Sequence, residues 1–221
     1  MRWNGPNNLH DRLRIKRITC QADVDALADL LVADHPQFAR AYAMTGPLPL
    51  RLRSDGITAL LSAIVSQQVS VTSASAIWAR VEQANMTNAA AILRASDQDL
   101  QDCGLSRPKV AYFQALAAAN LDFDALRHAS ADQVITTLTQ VKGIGRWTAE
   151  IYAMFSLGLT DVFAANDLAL QESARILFDM EARPTEKQMR AMSEDWAPYR
   201  SVAARLLWAY YHVEKTREGI R

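Results

Sequence analysis

Cysteine is almost missing from this chain, with Cys20 and Cys103 the only two in 221 residues. They form neither a Cys-x-x-Cys pair nor the framework of a disulfide-stapled secreted domain, so both read as thiols in a reducing compartment. Cys103, just before Gly104, reads as packing at a helix end. The four histidines, His10, His35, His128 and His212, lie too far apart for metal-ligand spacing, which argues against zinc. No run approaches the ~20 apolar residues of a membrane span, and the opening MRWNGPNNLHDRLRIKR lacks the apolar stretch of a secretory signal. A soluble, intracellular protein is the expectation. Excess charge is absent too: 24 basic side chains balance 24 acidic ones. Any contact with a polyanion must therefore come from a local patch or from backbone groups. Alternating strand-like runs, internal repeats and low-complexity linkers are likewise missing.

What is present is helical periodicity with caps. Asp23 to Ala33 puts Val24, Leu27, Leu30 and Leu31 on one face and stops before His35-Pro36. After the Pro- and Gly-marked loop from Met44 to Gly56, Ser54 or Asp55 is placed to cap an almost wholly apolar helix from Ile57 to about Gln67. Ser70 or Thr72 starts another with Ile77, Trp78 and Val81 inside. Ser96 and Ser130 are N-cap candidates, and Gly104 a C-cap. Further helices are expected over NAAAILRA, after the basic turn of Arg107 and Lys109, over RWTAEIYAMF, after Asp167 and after Pro198. The fold class is all-α, and half the residues are hydrophobic, enough for one large domain or two small lobes.

Glycine is scarce at eight residues, yet Gly143 and Gly145 stand one residue apart in VKGIGRWTAE. A helix, this turn and a second helix form a helix-hairpin-helix pattern. Its bare amides at a helix N-terminus suit a phosphate oxygen and would grip DNA without reading sequence; a tight turn with no ligand is the alternative. Asp167 opens the next helix, where it can cap or, as a carboxylate following a phosphate-binding hairpin, face a sugar.

Taken with VKGIGRWTAE, the segments GPLPLRLRSDGITALLSAIVSQQVSVTSASAIW, CGLSRPK, DVFAANDLAL and WAPYRSVAARLLW resemble the helix-hairpin-helix DNA glycosylases, in particular the 3-methyladenine DNA glycosylase II branch. That resemblance covers most of the chain. It implies two helical lobes, approximately 1–55 with 165–221 and 56–164, the hairpin at 131–157 and the base pocket in the cleft between them. It makes Asp167 the essential aspartate, which stabilises positive charge on the sugar and helps water attack C1′. It implies a pocket walled by Trp147 and Trp208 and supplemented by Tyr152, whose indoles attract a cationic base, although Trp208 in LLWAYY also reads as core.

Bifunctional relatives carry a lysine at the place of Trp147, so a monofunctional enzyme without lyase activity is expected. In SQQVS, Gln68 resembles the plug that fills the gap left by a flipped nucleotide and Gln67 a contact to the opposite bases; a polar helix end without a partner is the other reading. Further DNA contacts are expected at Gly143, Ile144, Gly145, Arg146, Thr148, Arg107, Lys109 and Arg200. No cofactor is implied beyond a monovalent cation at the hairpin carbonyls. No four-cysteine cluster and no N-terminal β lobe fit this sequence. The chain departs from the branch at Ile151 and Leu168, where tyrosines are usual, and at Asn166, where many relatives have a second aspartate. The basic residues Arg2, Arg12, Arg14, Lys16 and Arg17 either touch DNA backbone or form a mobile terminus.

The expected partner is double-stranded DNA carrying alkylated bases, met by a monomer in the bacterial nucleoid or eukaryotic nucleus. A non-catalytic DNA-binding or lesion-sensing module, and a glycosylase for oxidised or mismatched bases, are the alternatives.

Overall fold

A computed structural model describes residues 15–217; Arg2, Arg12 and Arg14 lie outside the described residues. Those residues form helices α1 (Gln21–Asp34), α2 (Gln37–Thr45), α3 (Ile57–Ser66), α4 (Val71–Gln83), α5 (Ala89–Arg94), α6 (Asp97–Asp102), α7 (Arg107–Ala118), α8 (Phe123–His128), α9 (Ala131–Thr139), α10 (Arg146–Phe155), α11 (Leu168–Leu177), α12 (Glu186–Glu194) and α13 (Arg200–Arg217). The all-α expectation holds; the only extended pairing among the described residues is a single antiparallel bridge, Arg17 to Leu159. No described helix is long and apolar enough to cross a membrane. Helices α2, α8 and α12 are additions to the sequence reading. Each is at most nine residues long, so its periodic signal is brief.

The chain divides into two compact units, 1–52 with 158–221, and 53–157. The expected divisions at 55/56 and 164/165 move because of the backbone. Arg53 N–H donates to Phe155 O at 2.8 Å and stays with the second unit, whereas Ile18 N–H donates to Gly158 O at 2.6 Å and ties that glycine to the first.

In the first unit α13 is the central helix, with Val202, Ala203, Ala204, Leu206, Leu207 and Tyr210 all buried. Its small residues let neighbours approach, and Ser173 Oγ on α11 donates to Leu207 O at 2.7 Å. An aromatic cluster closes one side, Phe38 of α2 meeting Phe178 and Trp196 edge-on at 5.7 and 5.2 Å. Buried Arg205 donates to Leu50 O at 2.8 Å, and burial together with Arg51 pushes its guanidinium down to about 10.

In the second unit α3 buries Leu60, Leu61, Ile64 and Val65 against α4, α7 and α10. Ser70, Asn88, Ser96, Asp122 and Ser130 cap α4, α5, α6, α8 and α9 through their side chains, each cap contributing roughly 0.5–2 kcal/mol. The start of α3 departs from expectation. Gly56, at φ +87°, is its N-cap, and neither Ser54 nor Asp55 performs that role. Asp55 instead pairs with Arg127, which also contacts Asp124. Cys103 is buried at the end of α6, followed by left-handed Gly104, as read from the sequence.

Candidate active site

The hairpin joins α9 to α10 through Val141 to Gly145, and its two glycines have different causes. Gly143 sits at φ +94°, and a Cβ there would meet the Tyr112 ring at 2.3 Å, so the fold itself requires glycine. Gly145 has an ordinary φ of −82°, and an added Cβ would have nothing within 4 Å. Nothing among the described residues requires glycine at 145, so a Cβ there would stand in open space. Gly145 is the N-cap of α10 and offers no side chain to cap it, so the positive end of the helix dipole meets the turn without a capping oxygen from that position. That geometry suits an anion.

Between the glycines, Ile144 is buried and its N–H donates to Val141 O at 3.0 Å. The expected phosphate contact by the Ile144 amide is therefore corrected: that amide closes the turn. Thr148 also turns its side chain inward. Arg146 is half-exposed and pairs at 2.9 Å with the buried carboxylate of Glu150, one turn along α10.

The turn after α3 holds Gln67 and Gln68. Gln68 is exposed and adopts a left-handed φ of +55°, uncommon for a residue that is not glycine. Gln67 is half-buried, and its Nε2 donates to Gly143 O at 3.0 Å. The expected base contact from Gln67 is thus replaced by an internal bond to the hairpin. Lys109 is also corrected: it is 8% exposed, its Nζ donates to Val65 O at 2.7 Å, and burial pushes its ammonium below the usual lysine range. Its reach to the end of α3 satisfies one of that helix's last carbonyls. Arg107, two residues earlier, remains exposed at the start of α7.

Beside these turns, within the same unit, lies a cavity of about 550 Å³, in the size range of small-molecule sites. Trp147, 42% exposed, and Tyr152 line it, together with Gln67, Ile151, Trp78 and Glu82. Tyr152 is buried and its hydroxyl accepts the Gly56 N–H at 3.0 Å; burial raises its pKa. Trp78, expected inside, is a half-buried cavity wall, and Glu82 lies one turn beyond it on α4. Thr58, Ser62 and Ser66 keep the facing side of α3 small. Their four-residue spacing in an otherwise apolar helix was the available sequence signal for this recess.

In the other unit Asp167 is the N-cap of α11. Its Oδ1 accepts the amides of Ala169 and Leu170 at 2.9 and 3.1 Å and the Trp208 Nε1–H at 3.1 Å. Capping is therefore present, and Trp208 is half-buried with its indole turned to the carboxylate. Leu168 is 62% exposed. Arg200 forms a two-bond pair with Asp161 at 2.5 and 2.8 Å, so its expected DNA contact must compete with a partner already in place. The described residues contain no group of three or more His, Cys, Asp or Glu suited to a metal ion.

Comparison with known proteins places these turns in a lineage. The family model described as HhH-GPD superfamily base excision DNA repair protein matches residues 61–198. A DNA-3-methyladenine glycosylase 1 from Schizosaccharomyces pombe is 33% identical over 158 residues, 67% of this chain and 69% of its own length. The crystal structure of a Bacillus halodurans DNA-3-methyladenine glycosidase superposes with a TM-score of 0.77 at 34% identity, covering 84% of this chain and 88% of that one. The S. pombe 3-methyladenine DNA glycosylase in complex with abasic DNA gives a TM-score of 0.71 at 28% identity, over 86% and 96% of the two chains.

Proposed function

The chain belongs to the HhH-GPD superfamily of base excision DNA repair proteins, and on that premise we propose that it is a monofunctional DNA glycosylase that excises alkylated purines of the 3-methyladenine and 7-methylguanine type from double-stranded DNA. The observation that carries the reading is Asp167, whose Oδ1 is held by three N–H donors, one of them the Trp208 indole. Such bonds fix the direction of a carboxylate that must act on charge developing at a sugar.

The Gly145 end of α10 takes a phosphate through backbone amides, with Arg146 and Arg107 adding charge at the surface. Gln68 fills the space left by the extruded nucleotide. Trp147 and Tyr152 wall the recess that receives the base, and Trp208 in the other unit holds Asp167 and offers a second indole to a cationic base. A base alkylated at N3 or N7 carries positive charge, which an indole face favours and which makes the base its own leaving group. The C1′–N bond breaks with its electron pair going to the base; Asp167 stabilises the sugar cation; a water oxygen then bonds C1′ and gives up a proton. The product is an abasic site in an intact strand. Trp147 has no amine to attack C1′, and the residues lining its cavity include no lysine. The carbonyls of Val141 and Gly143 each accept one hydrogen bond and keep a lone pair, so they are the hairpin oxygens that would hold a monovalent cation, which would add positive charge beside the phosphate. One chain carries every group named, so the working unit is a monomer in a DNA-containing compartment.

The test is release of free base from methylated duplex DNA by wild type and Asp167→Asn, with strands resolved before and after hot alkali. Base release by wild type alone, and breaks only after alkali, is the expected result. DNA binding without release by either protein would leave the hairpin as a grip with no reaction. Release of 8-oxoguanine, or of adenine opposite it, without methylpurines would assign a different lesion class.

A further inference from the structure

We propose that Gln67, Lys109 and Tyr112 form a brace that makes the phosphate-gripping hairpin and the gap-filling Gln68 turn one mechanical piece, so that capture of the backbone sets where the plug enters the stack. The proposal rests on the glycosylase reading above and assigns these three side chains positioning roles.

The left-handed backbone of Gln68 needs an explanation. A residue with a Cβ is disfavoured there, and such strain persists only where the surroundings over-determine it. Two hydrogen bonds supply that determination immediately upstream. Lys109 Nζ holds Val65 O at 2.7 Å, and Gln67 Nε2 holds Gly143 O at 3.0 Å. The Lys109 bond is buried, where an ammonium is retained only if it is well satisfied.

The second link runs through α7. Lys109 and Tyr112 are three residues apart and share a face of that helix. Tyr112 lies against the Cα side of Gly143, at 2.3 Å from where a Cβ would stand, while Lys109 holds the end of α3. The path therefore closes: plug turn to hairpin through Gln67, hairpin to α7 through Tyr112, α7 back to the plug turn through Lys109. A closed loop of contacts resists shear that a single bond would permit. Gly143 serves both ends, its αL backbone exposing a carbonyl to Gln67 and its bare Cα to Tyr112.

The experiment separates grip from plug. Wild type, Gln67→Met, Lys109→Met and Lys109→Arg are compared for affinity to undamaged duplex, for melting temperature, and for fluorescence of 2-aminopurine placed opposite a tetrahydrofuran abasic analogue, which reports plug insertion without any excision. The inserted population should fall about tenfold in each Met variant, the scale of one lost hydrogen bond, while undamaged-duplex affinity stays within about twofold. Lys109→Arg, which keeps a charged donor, should recover most of the signal. Gln67→Met combined with Gln68→Ala should cost no more insertion than Gln68→Ala alone.

Unchanged insertion in Gln67→Met overturns the brace, as does an equal fall in insertion and duplex affinity, which would make the bond a support of the hairpin alone. Gln67 is half-buried, so this variant carries the test even if Lys109→Met does not fold. If wild type binds duplex but gives no insertion signal, the plug itself is wrong and the functional reading fails with it. Insertion by wild type and by both Met variants alike removes the brace and leaves that reading standing.

Discussion

Trp208 donates its indole N–H to the same Asp167 oxygen that caps α11, at 3.1 Å. The observed cap and the proposed chemical role thus meet on one atom, and they can be separated. Asparagine is as good an N-cap as aspartate. Asp167→Asn should therefore melt close to wild type while base release falls by about 10²–10³-fold, the scale of removing one electrostatic stabiliser. Parallel thermal unfolding and single-turnover excision would decide it. Equal loss of stability and activity would mean that the residue only caps.

Trp208→Phe keeps most of the ring and removes the donor. If the indole N–H orients the carboxylate, excision should fall about tenfold, the equivalent of one hydrogen bond. Binding to abasic DNA should hold. The expected signature in steady-state kinetics is a lower kcat with little change in KM.

The hairpin glycines give a paired prediction. Gly143→Ala places a methyl against Tyr112 at a positive φ and should destabilise the fold by about 1–3 kcal/mol. Gly145→Ala meets open space at an ordinary φ, so its melting temperature should stay within about 4 °C of wild type. Its DNA affinity should nonetheless drop, because the methyl stands where a phosphate is proposed to approach. Fluorescence-anisotropy titrations of both variants against undamaged duplex would test the contrast.

Trp147→Ala removes an exposed aromatic wall from the 550 Å³ cavity. A cation-π contribution of about 1–2 kcal/mol corresponds to roughly a tenfold loss in the specificity constant for cationic methylpurines. Neutral hypoxanthine should lose less. Equal losses for both bases would assign Trp147 to shape alone.

Arg127 holds the Asp55 carboxyl below its ordinary value of 3.8, chiefly through their direct hydrogen bonds. A depressed carboxyl stabilises the fold fully above that value and ceases to as pH falls through the lowered one. Asp55→Asn should thus melt slightly below wild type near neutrality, with the gap closing in strong acid. Thermal scans across that range provide the check.

Local chemistry was legible in the residues themselves. Ser96 and Ser130 announce caps because a side-chain oxygen and the amide it serves are three residues apart. The hairpin announces itself because its glycines and flanking helices are contiguous. Lys109 could not be read this way. It looks like a surface charge until the end of α3, 44 residues earlier in sequence, arrives to receive it. Gln67 and Gly143 are 76 residues apart, and the need for glycine at 143 is invisible without Tyr112. Asp167 was legible as both cap and candidate acid; its indole donor, 41 residues on, was not.

The bridge from Arg17 and Ile18 to Gly158 and Leu159 also sets an order of events. Residues 53–157 form one uninterrupted stretch, whereas the other unit is assembled from segments on either side of it. During synthesis the inner stretch can complete its core as soon as it has emerged. Helices α1 and α2 must wait, their apolar faces uncovered, until α11 and α13 follow. Cotranslational folding is thus expected to complete the half that carries the hairpin before the half that carries Asp167 closes around α13.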